Sequence, residues 1–144
     1  MNGTIQAICI SERKGEVKHA IPSATLETDH GIIGDAHAGP GHRQVSLLPS
    51  ESIGKVRELI PDLADGAFAE NLITAGLDLK TVSVGTRFHL GEACLEVTQI
   101  GKTCHQGCAI QKITGDCIMP REGIFCRVLK GGPLAPGDAI TAED

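Results

Sequence analysis

In the stretch GKTCHQGCAI, residues 101–110, Cys104 and Cys108 stand four apart, Lys102 and His105 flank the first thiol, and Cys117 follows nine residues later. Thiolates and an imidazole can together ligate a metal. The thiolate is also the form of cysteine that attacks, exchanges disulfides and carries sulfur, and a nearby cation lowers the thiol pKa towards that form. The spacing C-x3-C followed by C-x8-C lacks the C-x2-C pair of zinc knuckles, and Cys104 and His105, as neighbours, would reach one ion only awkwardly. A structural zinc clip over Cys104, Cys108 and Cys117, and a reactive Cys104 tuned by Lys102 and His105, both remain open on spacing alone.

The other three cysteines, Cys9, Cys94 and Cys126, fall in apolar, strand-like runs and read as small buried hydrophobes. A second polar cluster occupies TDHGIIGDAHAGPGHRQVSLL, residues 28–48, which holds three His, two Asp and one Arg among four glycines. It has no core periodicity, so its polar groups must be solvated or line a site. Asp35 and His37, two apart, would share one side of an extended chain. In DGAFAENLIT, Phe68 and Leu72 are core candidates. Between them Asn71 has two open roles, a hydrogen bond to a ligand or one to the protein's own backbone.

The elements that must hold these groups are mainly short strands. TIQAICI and RQVSLLP are β-prone runs, the second ending at Pro49. SVGTRFHLGEACLEVTQIG reads as strand, glycine turn, strand, with Leu95 and Val97 alternating with Glu96 and Thr98. GIFCRVLKGGPLAPGDAITAE predicts two strands flanking a GGPLAPGD turn region. Only two segments predict helix. Ser50 is placed to cap ESIGKVRELI, with Ile53, Val56, Leu59 and Ile60 on one face and Pro61 as the stop, and a short piece surrounds CAIQKI. Many short strands with few helices predict a mainly β barrel or sandwich over a single domain, residues 1–144.

Composition narrows the function. Three Phe, no Tyr and no Trp leave little for stacking on bases, and a formal charge of -5 opposes a general phosphate-binding surface, so no nucleic-acid partner is expected. No run is long enough to span a membrane, and the first apolar run lacks a basic leader and ends in charges. A cytoplasmic protein with reduced thiols is the expectation.

GIIGDAH, RQVSLL, GAFAENLIT, SVGTRFHLG, LEVTQIGKTC and GIFCRVLKGGPLAPGDAI occur in this order and cover nearly the whole chain. Together they resemble the MOSC domain, named for the C-terminal domain of molybdenum cofactor sulfurase, in its small stand-alone bacterial form. The resemblance implies a MOSC-like β-barrel with few short helices. It implies that Cys104, after the EVTQ strand, carries sulfur as a persulfide or ligates molybdenum in a pyranopterin cofactor. Asp35, His37, Arg43, Gln44 and Asn71 would then line the cofactor pocket, with Arg87, Lys102 and His105 as further contacts, the first two towards the cofactor phosphate. Implied partners are a cysteine desulfurase, molybdoenzymes or cofactor-biosynthesis proteins. Cys108 and Cys117 would serve as relay thiols or metal ligands, and Arg121 and Glu122 would sit in a lid or partner-contact loop. The resemblance leaves three functions open: sulfur carriage or cofactor binding, molybdenum-dependent reduction of N-hydroxylated compounds, and a scaffold module with structural zinc.

Overall fold

The structure is a computed structural model that describes residues 1–14, 16–101 and 123–143. Its strands are β1 (Asn2–Ile10), β2 (His19–Ile21), β3 (Ala24–Glu27), β4 (Gly31–Ile32), β5 (Val45–Pro49), β6 (Leu72–Ala75), β7 (Arg87–Leu90), β8 (Ala93–Ile100), β9 (Ile124–Lys130), β10 (Gly132–Leu134) and β11 (Ala139–Ala142). One α-helix, α1 (Ser50–Arg57), and a 3₁₀ turn at Leu79–Thr81 complete the described elements.

The main sheet runs β11-β7-β8-β9-β5-β6-β1-β2, and an added β11–β1 pairing closes it into a barrel of seven strands with β2 outside the ring. All ring pairings are antiparallel except β5–β6, which is parallel and bridged by α1, as a parallel pair requires a crossover. A small sheet, β10-β3-β4, adds Leu134, Leu26 and Ile32 to the barrel core.

Two apolar clusters follow from this closure. Val45, Leu47, Leu72, Phe88, Leu95, Val97, Ile124 and Cys126 belong to the barrel core. Leu48, Ile73, Phe125, Ala7 and Cys9 turn to the other side of the wall and meet Ile53 and Val56 of α1. That covering explains why β5 is buried at every position where a half-exposed strand would alternate. The β7–β8 hairpin turns through Gly91 and Glu92, since Leu90 pairs with Ala93, and Gly91 takes φ +60 as a two-residue hairpin demands.

Three expectations change. The helix is entered from Pro49, still paired in β5, so Ser50 makes no capping bond and its Oγ lies 3.3 Å from Glu51 Oε1. The helix ends at Arg57, which leaves Leu59 67% exposed while Ile53 and Val56 stay buried. Part of the expected GGPLAPGD turn is strand β10, paired with β3. The expected helix around CAIQKI lies outside the described residues. No described helix is long and apolar enough to cross a membrane.

Candidate functional site

Lys18, just before β2, has a fully buried side chain. Its backbone N–H donates to the carbonyl of Gly66 at 3.0 Å. Gly66 has φ +91, and a Cβ there would lie 2.1 Å from Lys18 O, so only glycine fits this clasp. The buried Glu70 carboxylate fixes the clasp by accepting from Gly66 N and Phe68 N. Burial raises the Glu70 pKa, with Asp65 adding repulsion against the opposing backbone hydrogen bonds.

The Lys18 ammonium has three neighbours: Asp35 Oδ1 at 2.6 Å, His37 Nδ1 at 2.9 Å and Ser11 Oγ at 3.2 Å. Asp35 Oδ1 also accepts from Ser11 N, and its Oδ2 accepts from His37 N. Asp35 and His37 therefore meet as expected, but in a turn closed by backbone bonds from Asp35 N to Ile32 O and Ala38 N to Asp35 O, not in an extended strand.

Beside them lies a cleft of about 360 Å³ lined by Lys14, His37, Gly39, Pro40, Gly41, His42 and Arg43. Gly39 and Gly41, with φ +141 and +136, carry the chain around its wall. Arg43 Cζ sits 5.3 Å from the Phe125 ring centroid, a cation–π distance. Its Nε donates to Gln99 Oε1 at 2.9 Å, and His42 Nε2 approaches the same oxygen at 3.0 Å. Gln99 Nε2 donates to Gly101 O at 2.7 Å. With Oε1 set as acceptor, His42 must carry its proton at Nε2 to bond there. Thr98 Oγ1 lies within hydrogen-bond reach of both His42 O and Phe125 O, which share its single proton. No described carboxylate pairs with Lys14 or Arg43.

The remaining predicted residues divide by position. Gln44 and Asn71 are buried and committed to the protein. Gln44 Nε2 donates to Asp29 Oδ1 and its Oε1 accepts from Val128 N. Asn71 Oδ1 accepts from Ser46 N and Oγ, and its Nδ2 donates to Cys9 O. Both brace strands of the barrel. Arg87 lies on β7 and pairs with Glu96, which also takes Arg127; it is not a lining residue of the cleft. Cys104, Lys102, His105, Cys108, Cys117, Arg121 and Glu122 lie outside the described residues.

Cys9 and Cys126 are buried, Cys94 is partly exposed, and all three are free thiols. Burial, then the Glu70 and Asp65 charges, push Cys9 up to about 12, against a lowering by Lys18. Burial also raises Cys94 and Cys126. None of these three is a reactive thiolate at neutral pH. No cluster of three or more potential metal-ligating side chains exists among the described residues.

Sequence reasoning missed Lys18 and Gln99. The only local sign of Lys18 was a lone lysine between Val17 and His19, and its partner lies 17 residues on. Gln99 carried no sign, because strict alternation from Leu95 and Val97 would turn it into the barrel.

Residues 34–141 match the MOSC domain. Among curated proteins, an uncharacterized Bacillus subtilis protein, YflK, is 28% identical over 134 residues, which cover 85% of this chain and 60% of that one. A Gibberella moniliformis protein named Reductase is 30% identical over 151 residues, 90% of this chain and 27% of the relative. The chain thus spans less than two thirds of either relative. Among solved structures, YuaD of Bacillus subtilis superposes with a TM-score of 0.81 at 19% identity, covering 99% of this chain and 96% of that one. YiiM of Geobacillus stearothermophilus gives 0.73 at 19% identity, over 99% and 75% of the two chains. These superpositions establish the same barrel. The chain belongs to the MOSC domain family, a family associated with the molybdenum cofactor.

Proposed function

We propose that this protein is a molybdenum-cofactor-associated module in which the cleft holds the phosphate-bearing end of the pyranopterin cofactor and Cys104 is the molybdenum ligand or sulfur carrier. The observation that carries the reading is the Gln99 side chain, which bonds Arg43 on one side and the Gly101 carbonyl on the other. It ties the basic cleft to the base of the segment that bears Cys104. Three residues of chain separate Cys104 from Gly101, a span of at most about 11 Å.

The donor set fits such a ligand. Arg43 and Lys14 are cations without a described carboxylate partner, and a guanidinium suits phosphate oxygens. When bound, the cofactor supplies a redox-active molybdenum centre, for which a soft thiolate is a fitting ligand. In the sulfur-carrier form, the Cys104 thiolate attacks the outer sulfur of a persulfide on a cysteine desulfurase. The Cys104 persulfide forms and the donor cysteine leaves as a thiolate, with no net oxidation. The similarity to a protein named Reductase favours a second reading, in which the module holds the cofactor for reduction of N-hydroxylated substrates with an external electron donor.

The test is native mass spectrometry with elemental analysis of wild type, Cys104→Ala and Arg43→Ala. The expected result is molybdenum together with pterin, or an added sulfur mass that dithiothreitol removes, lost in Cys104→Ala. Arg43→Ala should weaken pterin binding by roughly 10- to 100-fold, the worth of one charge-assisted hydrogen bond. Full cofactor loading and sulfur transfer in Cys104→Ala would overturn the proposal, and zinc alone would favour a structural metal clip.

A further inference from the structure

A guanidinium carries five N–H groups in one plane and can grip an oxyanion by either of two forks. One is side-on, made by Nε and an Nη; the other is end-on, made by the two Nη groups. In Arg43 the side-on fork is occupied, because its Nε donates to Gln99 Oε1 at 2.9 Å. Arginine has no acceptor, so the Gln99 amide must turn its oxygen to Arg43, and its nitrogen donates to Gly101 O at 2.7 Å. His42 Nε2 lies 3.0 Å from the same amide oxygen, which then has both lone pairs engaged. The guanidinium also lies over the Phe125 ring. Its Nη groups have no hydrogen-bond or carboxylate partner among the described residues.

Gln99 reaches this place because β8 carries one extra residue. Val97 pairs with Cys126 and Gln99 with Phe125, the next residue back along β9, so Thr98 is surplus to the ladder. Such a bulge re-aims the side chain that follows it. Thr98 Oγ1, in reach of His42 O and Phe125 O, holds the bulge against the chain that leads into Arg43. We infer that Gln99 is a positioning residue for Arg43. It closes the side-on fork and leaves the end-on pair, Nη1 and Nη2, as the edge that meets an anion in the cleft.

This deepens, and rests on, the reading of the cleft as an anion site. An end-on fork takes two oxygens of one group, and a phosphate that presents two free oxygens fits it. Lys14, which also lines the cleft, adds a second positive charge with no fixed fork of its own. Two cations favour the doubly charged phosphate over a singly charged carboxylate. Arg43 supplies the direction and Gln99 sets it.

The experiment is ¹H–¹⁵N NMR of the arginine Nε and Nη groups in the full chain, titrated with inorganic phosphate, with Arg43 assigned through Arg43→Lys. In wild type, phosphate should shift the Arg43 Nη signals and leave its Nε–H signal nearly still. Gln99→Met keeps the side-chain length and removes the amide. It should weaken phosphate binding roughly 3- to 10-fold, the cost of ordering one freed long side chain. The Arg43 Nε–H should then respond to phosphate, because the side-on fork has opened. Gln99→Glu returns an acceptor to Nε and should make that signal insensitive again, while its negative charge keeps phosphate binding weak. A wild-type Nε–H that moves with phosphate as much as the Nη groups do would overturn the inference without any variant. Unchanged affinity with a still silent Nε–H in folded Gln99→Met would overturn it too, and both results would leave the anion site standing. Absence of phosphate binding in wild type would instead sink the anion-site reading, and the end-on contact with it.

Discussion

The buried Lys18–Asp35 pair should control folding far more than its single contact distance implies. Arg57–Asp65 has the same N···O distance, 2.6 Å, but its side chains are 38% and 39% exposed, whereas Lys18 and Asp35 are both 0% exposed. An exposed pair of that kind contributes up to about 1 kcal/mol. Removing one partner of a buried pair leaves an uncompensated charge and costs about 3–5 kcal/mol. Asp35→Asn keeps an oxygen for Ser11 N but deprives the Lys18 ammonium of its counter-charge. With a urea m-value near 2 kcal/mol/M, that cost lowers the midpoint by about 2 M, a large share of the ~5–15 kcal/mol of a domain of this kind. Lys18→Met should cost a similar amount by stranding Asp35. The double variant Lys18→Met/Asp35→Asn should recover most of it and cost no more than about 2 kcal/mol, because the two charges leave together. Equilibrium urea unfolding of all four proteins closes the cycle, with Asp65→Asn as the exposed control. If the double variant costs the sum of the singles within about 0.5 kcal/mol, or if Asp35→Asn costs no more than Asp65→Asn, the pair is not coupled and the reasoning fails.

Two other outcomes follow from the same burial. Cys9, held near 12, keeps its proton in the native state through a range in which the unfolded thiol, with its ordinary value of 9.0, has lost it. Proton binding is then greater in the folded form, so stability should fall as pH rises from about 9 towards 12; Cys9→Ala should flatten that limb in urea midpoints measured across the range, and an unchanged slope would count against the shift. Asn71→Ala should cost about 2–4 kcal/mol by leaving Ser46 N and Cys9 O without side-chain partners, read as a lower urea midpoint at unchanged m; a loss below about 0.5 kcal/mol would show that water replaces both bonds.

The strands that could be read from the sequence are long ones with an apolar pattern and the shorter β5, β7 and β11, which a proline or a glycine-rich turn marks off. β1, β8 and β9 have 9, 8 and 7 residues, and apolar β-branched runs mark them. β2, β3, β4 and β10 have two to four residues, too few for period-two alternation to stand out, and β10 sits in a Gly-Pro stretch that signals a turn. The helix was visible from Ile53 and Val56, but its end was not, because the chain leaves helical geometry before Pro61 enforces it. At the site, Asp35 and His37 could be seen because polar residues crowd one glycine-rich loop. Lys18 could not, because its meaning depends on a clasp made by Gly66 and Glu70, 48 and 52 residues away. Gln99 was hidden by a register shift between Val97 and Gln99 that sets it opposite Phe125. Asn71 could be flagged as unusual, but only contacts reveal that its amide serves three protein partners.

The same β8–β9 ladder also shows where the fold has room for function. β8 and β9 are antiparallel neighbours, and their last pair, Ile100 and Ile124, is followed by a bond from Gly101 N to Gly123 O. Such a ladder can close with two residues, as β7 and β8 do at Gly91 and Glu92. Here 23 residues intervene between Ile100 and Ile124, among them three of the six cysteines. A connection of this length costs more closure entropy than a tight turn between the same two strands would. The three cysteines that serve packing or lie in the wall, Cys9, Cys94 and Cys126, have pKa values raised by burial. The remaining three are carried by a connection whose base is bonded through Gln99 to Arg43, which has no carboxylate partner among the described residues. Three thiols thus sit in strands of the barrel, and the other three fall in the sequence between β8 and β9. That division supports Cys104 as a working sulfur more strongly than its C-x3-C spacing does.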